Sequence, residues 1–180
     1  DSVLYGHLEV FISDNGRSLD AAEAADGHLH LYPNRNVGGA GGFTRCLLEM
    51  KKSAAQTGVT HALLMDDDIV IEPQVLERTY MLLALRKEAC QDLCVGGAML
   101  RLDEQAVQFE AGAVWHADTG MMHPLKSGLD LRSCENCLDN EMEEYANYNA
   151  WWYCCFPLAA ASDDNLPLPL FIKMDDVEYG

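Results

Sequence analysis

The sequence is poor in basic residues. It has only 12 lysines and arginines against 29 aspartates and glutamates in 180 residues, which gives a formal net charge of −17 at neutral pH. A field of this sign repels phosphate backbones and anionic lipid, so nucleic acid is not an expected partner. The same charge makes a phosphorylated ligand costly to bind unless a cation lies between the ligand and the protein.

The chain also lacks long apolar runs and a disulfide framework. No apolar stretch approaches the roughly 20 residues that a membrane-spanning helix needs. The seven cysteines are odd in number, and Cys134 and Cys137 form a single Cys-x-x-Cys pattern. A structural zinc site needs four ligands, and only the adjacent Cys154 and Cys155 could supply the second pair. We therefore expect Cys134 and Cys137 to be a pair of free thiols in a loop, and the compartment to be a reducing one.

The apolar residues are numerous enough for a sizeable core, since they make up 49% of the sequence. The length suits one domain. We expect a single catalytic domain over 1–180 that is a fragment of a longer protein, truncated at both ends. The segments 8–13, 28–32 and 61–65 are predicted strands. Helical periodicity predicts one helix that stops at Gly58.

A second helix is predicted from Pro73 to about Ala89, because proline is favoured in the first turn. The remaining predicted strands are apolar runs, at 93–100, 111–115, 151–158 and 170–174. The polar stretch 119–150 gives no clear prediction. Strands that alternate with helices of this length indicate an α/β domain with a mostly parallel central sheet flanked by helices.

Acidic residues follow three of the predicted strands. They are Asp14, the triplet of Asp66, Asp67 and Asp68, and the pair of Asp175 and Asp176. In open α/β sheets, ligands bind outside the carboxyl ends of the strands. The acidic residues are therefore expected to share one ligand-binding edge.

The acidic triplet is the predicted metal-binding centre. Three adjacent carboxylates repel one another, so they favour a divalent cation or a raised pKa. In an extended segment Asp66 and Asp68 point the same way and can face one ion. Hard oxygen ligands suit magnesium or manganese, which substrate phosphates also bind. The alternative is a solvated acidic turn that caps the next helix.

A glycine-rich stretch precedes the first predicted helix and contains Gly38, Gly39, Gly41 and Gly42. We expect a loop here. Glycine lets a backbone approach a phosphate or a sugar closely, and the amino terminus of the following helix can bind an anion. The pattern matches neither the dinucleotide-binding fingerprint nor a P-loop, and a plain flexible connector explains it equally well.

Two further pairs have both a functional and an ordinary interpretation. Trp151 and Trp152 lie in a predicted strand, where adjacent side chains point to opposite faces. One ring can belong to the core while the other offers a stacking platform for a sugar, or both can be packing residues. Asp175 and Asp176 precede a predicted helix, so each is either a helix cap or a general base.

Together these features resemble the inverting glycosyltransferases of family 2, which have the GT-A nucleotide-sugar-binding fold. Within that family the chain is most similar to the galactofuranosyltransferases that build bacterial galactan. The stretches that carry the resemblance are 36–43, 64–68, 151–152 and 168–178.

The resemblance implies a metal-dependent transfer of a sugar, galactofuranose in that branch, from a UDP-sugar to a hydroxyl of a glycan or glycolipid. The residues that it implies for the donor site are Asp14, Arg35, Asn36, Gly38, Gly39, Asp66 and Asp67. Asp66 and Asp68 would hold manganese or magnesium. Asp176, or Asp175 in its place, would deprotonate the acceptor. Trp151 and Trp152 would shape the acceptor site. It also implies a cytoplasmic location, with peripheral association at the inner face of the membrane.

Two other functions remain open at this point. The segment 63–70 also fits the phosphatases of the haloacid dehalogenase type, with Asp66 as nucleophile and Asp175 and Asp176 as late magnesium ligands. Against this, that motif normally opens its fold, whereas two predicted strands precede it here. The third possibility is a degenerate, non-catalytic module that binds a sugar nucleotide.

Overall fold

The structure is a computed structural model that describes residues 3–20 and 27–180. The strands in these ranges are β1 (Val10–Asp14), β2 (Leu29–Pro33), β3 (His61–Leu64), β4 (Val95–Gly96), β5 (Met99–Leu100), β6 (Gln108–Glu110), β7 (Ala113–His116), β8 (Met121–Pro124) and β9 (Cys154–Pro157). The helices are α1 (Gly38–Thr57), α2 (Pro73–Leu85), α3 (Cys134–Asn140) and α4 (Asp175–Tyr179), with 3-10 turns at Glu88–Cys90 and Leu158–Ala160.

Helix α1 is the longest helix of the described residues and packs against β1 and β3. Its buried residues include Cys46, Leu47 and Met50, which recur at helical spacing and face the core. The helix ends at Gly58, which has φ 73° and donates its N–H to the carbonyl of Ala54. The prediction of a glycine stop is confirmed, because glycine adopts this left-handed conformation without a Cβ clash.

The glycine-rich stretch is not the loop that the sequence predicts. Gly38 begins α1, so the glycines form its first turn. Glycine is a weak helix former, which is why local propensity indicates a loop here. Helix α2 begins at Pro73 as predicted but ends at Leu85, before the expected limit near Ala89.

The described chain is mixed α/β, built from small sheets. Strands β1 and β2 pair in parallel, whereas β3 and β4 both pair with β9 in antiparallel fashion. The pairs β5–β6 and β7–β8 are also antiparallel. The structure therefore does not show the mostly parallel central sheet that the sequence predicts. The reason is β9, which comes late in the chain and inserts between two earlier strands, a pairing that no local pattern encodes.

Two further strand predictions need correction. The segment 170–174 contains no strand, and it forms bends that lead into α4. The expected strand at 151–158 is shorter, because Trp151 and Trp152 lie in a turn before β9. The stretch 119–150, which gave no prediction, contains β8 and α3.

The buried apolar residues in the described ranges form two clusters. The first joins α1, β3 and β9, and Leu47 at its centre is completely buried. The second gathers Ala113, Tyr148 and Ala150. The adjacent tryptophans divide between them, since Trp151 belongs to the first cluster and Trp152 packs against the second. None of the helices in the described ranges is both long and apolar enough to cross a bilayer.

Candidate active site

The acidic triplet stands just beyond the end of β3. Ala62 and Leu64 are 1% and 2% exposed, so this strand is anchored in the core and its carboxyl end is held in place. Asp66 is half-buried, whereas Asp67 and Asp68 lie exposed in the turn that follows. Burial raises the pKa of Asp66 to about 6, with further contributions from the charges of Asp68, Asp176, Asp67 and Asp175. The triplet and the late acidic pair therefore meet at one place.

Asp176 is held at the start of α4 by two hydrogen bonds. The hydroxyl of Tyr148 donates to its Oδ2 at 2.5 Å, and the N–H of Val177 donates to its Oδ1 at 2.9 Å. Tyr148 is only 8% exposed. Burial, followed by the hydrogen bond to Asp176, raises the pKa of Tyr148 far above its ordinary value, so this hydroxyl remains a donor at neutral pH.

Glu110 at the end of β6 completes the carboxylate cluster. It is buried, and that burial together with the charge of Asp176 raises its pKa. The sequence interpretation missed both Glu110 and Tyr148. The structure buries Gln108 and Glu110 on β6 and leaves Phe109 exposed, which is the reverse of what an alternating pattern of apolar and polar residues indicates. The sequence therefore offers no signal for Glu110, and it offers none for Tyr148.

The first turn of α1 lies directly against the segment that leads into α4. A Cβ built on Gly38 would come within 2.0 Å of the carbonyl oxygen of Phe171, and one on Gly39 would come within 2.6 Å of Oδ2 of Asp175. Gly38 also has φ +82°, a region that favours glycine. These two glycines thus let the backbone before α4 approach the amino terminus of α1.

Asp14 lies at the end of β1 and is 6% exposed. Its carboxylate accepts the N–H groups of Leu19 at 2.9 Å and of Gly16 at 3.1 Å. These backbone hydrogen bonds, that of Leu19 first, lower the pKa of Asp14, so it is ionised at neutral pH. Arg35 and Asn36 are exposed, and Oδ1 of Asn36 accepts the N–H of Gly38 at 3.2 Å.

Hydrogen bonds connect the end of β1 to the start of α1. The amide of Asn34 donates to Oδ1 of Asn15 at 3.0 Å, and the amide of Asn15 donates to the carbonyl of Gly38 at 3.3 Å. The backbone N–H of Asn34 donates to the carbonyl of Asp14 at 2.9 Å. Of the residues predicted for the donor site, Asp14, Asn36 and Gly38 are therefore joined in one hydrogen-bonded corner of the fold.

The two tryptophans have different environments. Trp151 is 3% exposed, and its ring lies edge-on to Phe43 and Tyr179 at centroid distances of 4.8 and 6.1 Å. Trp152 is half-buried, and its indole N–H donates to the carbonyl of Gly97 at 3.0 Å. Trp151 is therefore a core residue, and Trp152 is the one that keeps part of its surface exposed.

The carboxylates of the triplet are of the chemical type that hard divalent cations prefer. Within the part of the chain that the structure describes, no three histidine, cysteine, aspartate or glutamate side chains are arranged as a complete metal site. Magnesium typically takes one or two carboxylates and completes its shell with substrate phosphates and water. Asp66 and Asp68 could supply such carboxylates, and the negative charges of Asp68 and Asp176 near Asp66 are a repulsion that a cation would relieve.

The chain is similar in sequence to two bacterial glycosyltransferases. It is 33% identical to the galactofuranosyltransferase GlfT2 of Mycolicibacterium smegmatis over 189 aligned positions, which cover 95% of the chain and 28% of the relative. It is 34% identical to GlfT2 of Mycobacterium tuberculosis over 174 positions, which cover 89% of the chain and 26% of the relative. The chain thus spans about a quarter of the length of these relatives.

No protein-family model matches the chain. Neither relative carries the name of a phosphatase, so the comparison does not favour the alternative of the haloacid dehalogenase type. A similarity that extends over about nine-tenths of the chain supports a relationship with the glycosyltransferases.

Proposed function

We propose that this chain is the donor-binding and catalytic part of an inverting glycosyltransferase of family 2 with a GT-A fold. It transfers galactofuranose from UDP-galactofuranose to a hydroxyl of a glycan or glycolipid. One observation carries the proposal: Asp66 and Asp176 come from distant parts of the chain and lie close enough for the charge of one to raise the pKa of the other. A candidate metal ligand thereby stands beside a candidate base.

The donor side of the proposal uses the triplet and the first turn of α1. Asp66 and Asp68 would hold manganese or magnesium, with Asp67 beside them. The ion would supply positive charge to the diphosphate, which a protein of net charge −17 repels. Arg35 and Asn36, together with the hydrogen-bonded corner that contains Asp14, line the nucleotide. Gly38 and Gly39 belong to the proposed donor site through the resemblance, and the backbone of Phe171 and the carboxylate of Asp175 lie against them.

Asp176 is the proposed general base. The hydrogen bond from Tyr148 holds Oδ2 in a fixed direction, and the carboxylate keeps lone pairs with which to accept a proton from an acceptor hydroxyl. The deprotonated oxygen attacks the anomeric carbon in line with the departing UDP. Asp175 fits this role less well, because its Oδ2 faces the first turn of α1 beside Gly39.

The acceptor side rests on Trp152, whose partly exposed ring suits stacking on a sugar face. Trp151 supports the site from the core. An acceptor that is a glycan on a lipid carrier implies a cytoplasmic enzyme that associates peripherally with the inner face of the membrane.

The test is donor turnover by the purified chain with and without manganese. UDP release is measured with UDP-galactofuranose and with UDP-glucose, and UDP binding is measured by titration calorimetry. We expect manganese-dependent binding, and release that favours the galactofuranose donor. The substitution Asp68→Ala should abolish both, because it removes one of the two proposed ligands.

The matched control is Asp164→Ala, which removes an equally exposed carboxylate outside the cluster. It should bind and turn over UDP-galactofuranose like the unchanged chain. Normal manganese-dependent UDP binding in the Asp68→Ala variant would contradict the metal assignment. Trapping of beryllofluoride on Asp66, with no affinity for UDP, would favour a phosphatase instead.

A further inference from the structure

Two cysteines stand together at the start of α3, and the carboxylate cluster uses neither of them. Cys134 is the first residue of the helix, and Cys137 follows one turn later. In a helix the Cα atoms of residues three apart are about 5 Å from one another. A disulfide typically joins Cα atoms that are about 4.4–6.8 Å apart. The backbone therefore already brings the two residues to a separation that a disulfide can bridge.

The first turn of α3 is held in place by local hydrogen bonds. Ser133 caps the helix, since its hydroxyl accepts the N–H of Asn136 at 3.4 Å. The N–H of Cys137 donates to the carbonyl of Ser133 at 3.0 Å. The amide of Asn136 donates to the carbonyl of Asp130 at 2.9 Å. These bonds fix the turn, so the two thiols emerge near each other on one side of the helix.

Both thiols are open to solvent, unlike the cysteines of the core. Cys134 and Cys137 are exposed, whereas Cys46 and Cys155 are buried. Burial raises the pKa of Cys46 to about 11 and that of Cys155 to about 12, so these two thiols are protonated and unreactive at neutral pH. Reaction with a dissolved reagent is therefore directed to the exposed cysteines.

We propose that Cys134 and Cys137 form a reversible dithiol–disulfide site that reacts with low-molecular-weight disulfides such as oxidised glutathione. The thiolate of one cysteine attacks the external disulfide, forms a mixed disulfide and releases one thiolate. The second cysteine, also as thiolate, then attacks the protein sulfur of the mixed disulfide. The Cys134–Cys137 bond forms and the second external thiolate leaves. The protein loses two electrons and two protons, and the external disulfide gains the two electrons.

Closure of this bond changes the segment in front of α3. In the dithiol form the thiol of Cys137 donates to the carbonyl of Leu131 at 3.1 Å. The disulfide has no S–H, so this hydrogen bond exists only in the dithiol form. The two forms of the chain therefore differ at the loop that contains Leu131, which gives the site a local structural readout.

The experiment treats the full chain with oxidised glutathione and maps its cysteines by mass spectrometry. We expect the peptide with Cys134 and Cys137 to lose the mass of two hydrogen atoms and to carry no glutathione, with the loss of both reactive thiols of that peptide. Dithiothreitol should restore both thiols. In the Cys134→Ser variant, Cys137 should instead keep a stable glutathione adduct, and Cys137→Ser should leave the adduct on Cys134, because each variant lacks the second thiol.

Cys90 and Cys94 are the matched comparison, since they are also exposed and lie close in sequence but do not share a helix turn. They should not form a disulfide with each other under conditions that close the Cys134–Cys137 bond. Persistent glutathione on Cys134 or Cys137 of the unchanged chain would overturn the proposal. A disulfide from either residue to another cysteine would do so too.

Discussion

The hydroxyl of Tyr148 lies 2.5 Å from Oδ2 of Asp176 and donates a hydrogen bond to it. Tyr148 belongs to the second core cluster, against which Val177 also packs. The bond therefore connects the start of α4 to a buried part of the fold. A carboxylate at the beginning of a helix of five residues gains a fixed orientation from this contact.

Tyr148→Phe should lower turnover without weakening donor binding. The variant keeps the ring in the core but removes the charge-assisted hydrogen bond that orients Asp176. We expect kcat to fall by about tenfold, which corresponds to about 1.4 kcal/mol, with little change in the KM for the donor. Steady-state kinetics against UDP-galactofuranose measures both quantities.

The control for this variant is Tyr145→Phe, which removes a hydroxyl from a side chain that is 75% exposed. It should leave kcat and KM unchanged. A raised donor KM with normal kcat in Tyr148→Phe would contradict a role in orienting the base.

Gly38→Ala should destabilise the chain more than an ordinary glycine substitution. The new Cβ would lie 2.0 Å from the carbonyl oxygen of Phe171, so the backbone of one segment must move. In addition, φ of Gly38 is +82°, which costs an alanine roughly 1–2 kcal/mol. We expect a total loss of more than about 2 kcal/mol in the free energy of unfolding, measured by urea denaturation.

Gly58→Ala separates the two causes, because Gly58 has φ +73° but nothing within 4 Å of an added Cβ. It should show only the backbone cost of roughly 1–2 kcal/mol. If the two variants were equally destabilised, the close approach between Gly38 and Phe171 would not exist in solution.

The sequence predicts the elements that depend on local signals. Gly58 ends α1 and Pro73 begins α2 because each residue has a conformational preference that acts at its own position. The strand before Asp66 is predicted because a short continuous apolar run is typical of a buried strand, and Ala62 and Leu64 of that strand are indeed buried. The acidic residues of the candidate site follow directly after such local elements, which is why Asp66 could be proposed as a site residue from the sequence.

The other elements depend on contacts between distant residues. Gly38 must be a glycine because its φ is +82° and the carbonyl of Phe171 leaves no space for a side chain, and nothing near Gly38 in the sequence reveals this contact. The antiparallel direction of β9 and the hydrogen bond between Tyr148 and Asp176 have the same origin. These features come from tertiary packing, which overrides local propensity.

Glu9→Gln should lower the free energy of unfolding near neutral pH and make that free energy fall less steeply on acidification. Oε2 of Glu9 lies 2.8 Å from Nε2 of His30, and Oε1 lies 3.1 Å from Nδ1 of His28. The hydrogen bond with His30 is the main cause that lowers the pKa of Glu9 below its ordinary value of 4.5. A lowered folded-state pKa means that the carboxylate stabilises the fold above pH 4.5, and that this contribution is lost as pH falls through the folded-state value.

Urea unfolding at pH 7 and at stepwise lower pH tests whether the stabilisation by Glu9 is lost as the pH falls. The unchanged chain should lose more stability on acidification than Glu9→Gln does, and at pH 7 the variant should be less stable by about 1 kcal/mol. Glu144→Gln, in which the carboxylate is exposed, is the control and should follow the unchanged chain. A Glu9→Gln variant with the same acid response as the unchanged chain would show that the histidine contacts do not stabilise the fold.

Trp152→Ala should weaken binding of the glycan acceptor, whereas Trp151→Ala should lower the stability of the fold. Trp151 is 3% exposed in the first core cluster, so its truncation should cost roughly 3–5 kcal/mol of stability. Trp152 keeps exposed surface beside its hydrogen bond to Gly97, so its loss should raise the KM for the glycan acceptor and leave the donor KM unchanged. Initial rates over a range of acceptor concentrations at saturating donor, together with thermal unfolding of both variants, separate the two effects. An unchanged acceptor KM in a folded Trp152→Ala variant would mean that both tryptophans are packing residues only. The reason is that Trp151 is buried, so it cannot contact a sugar in place of Trp152.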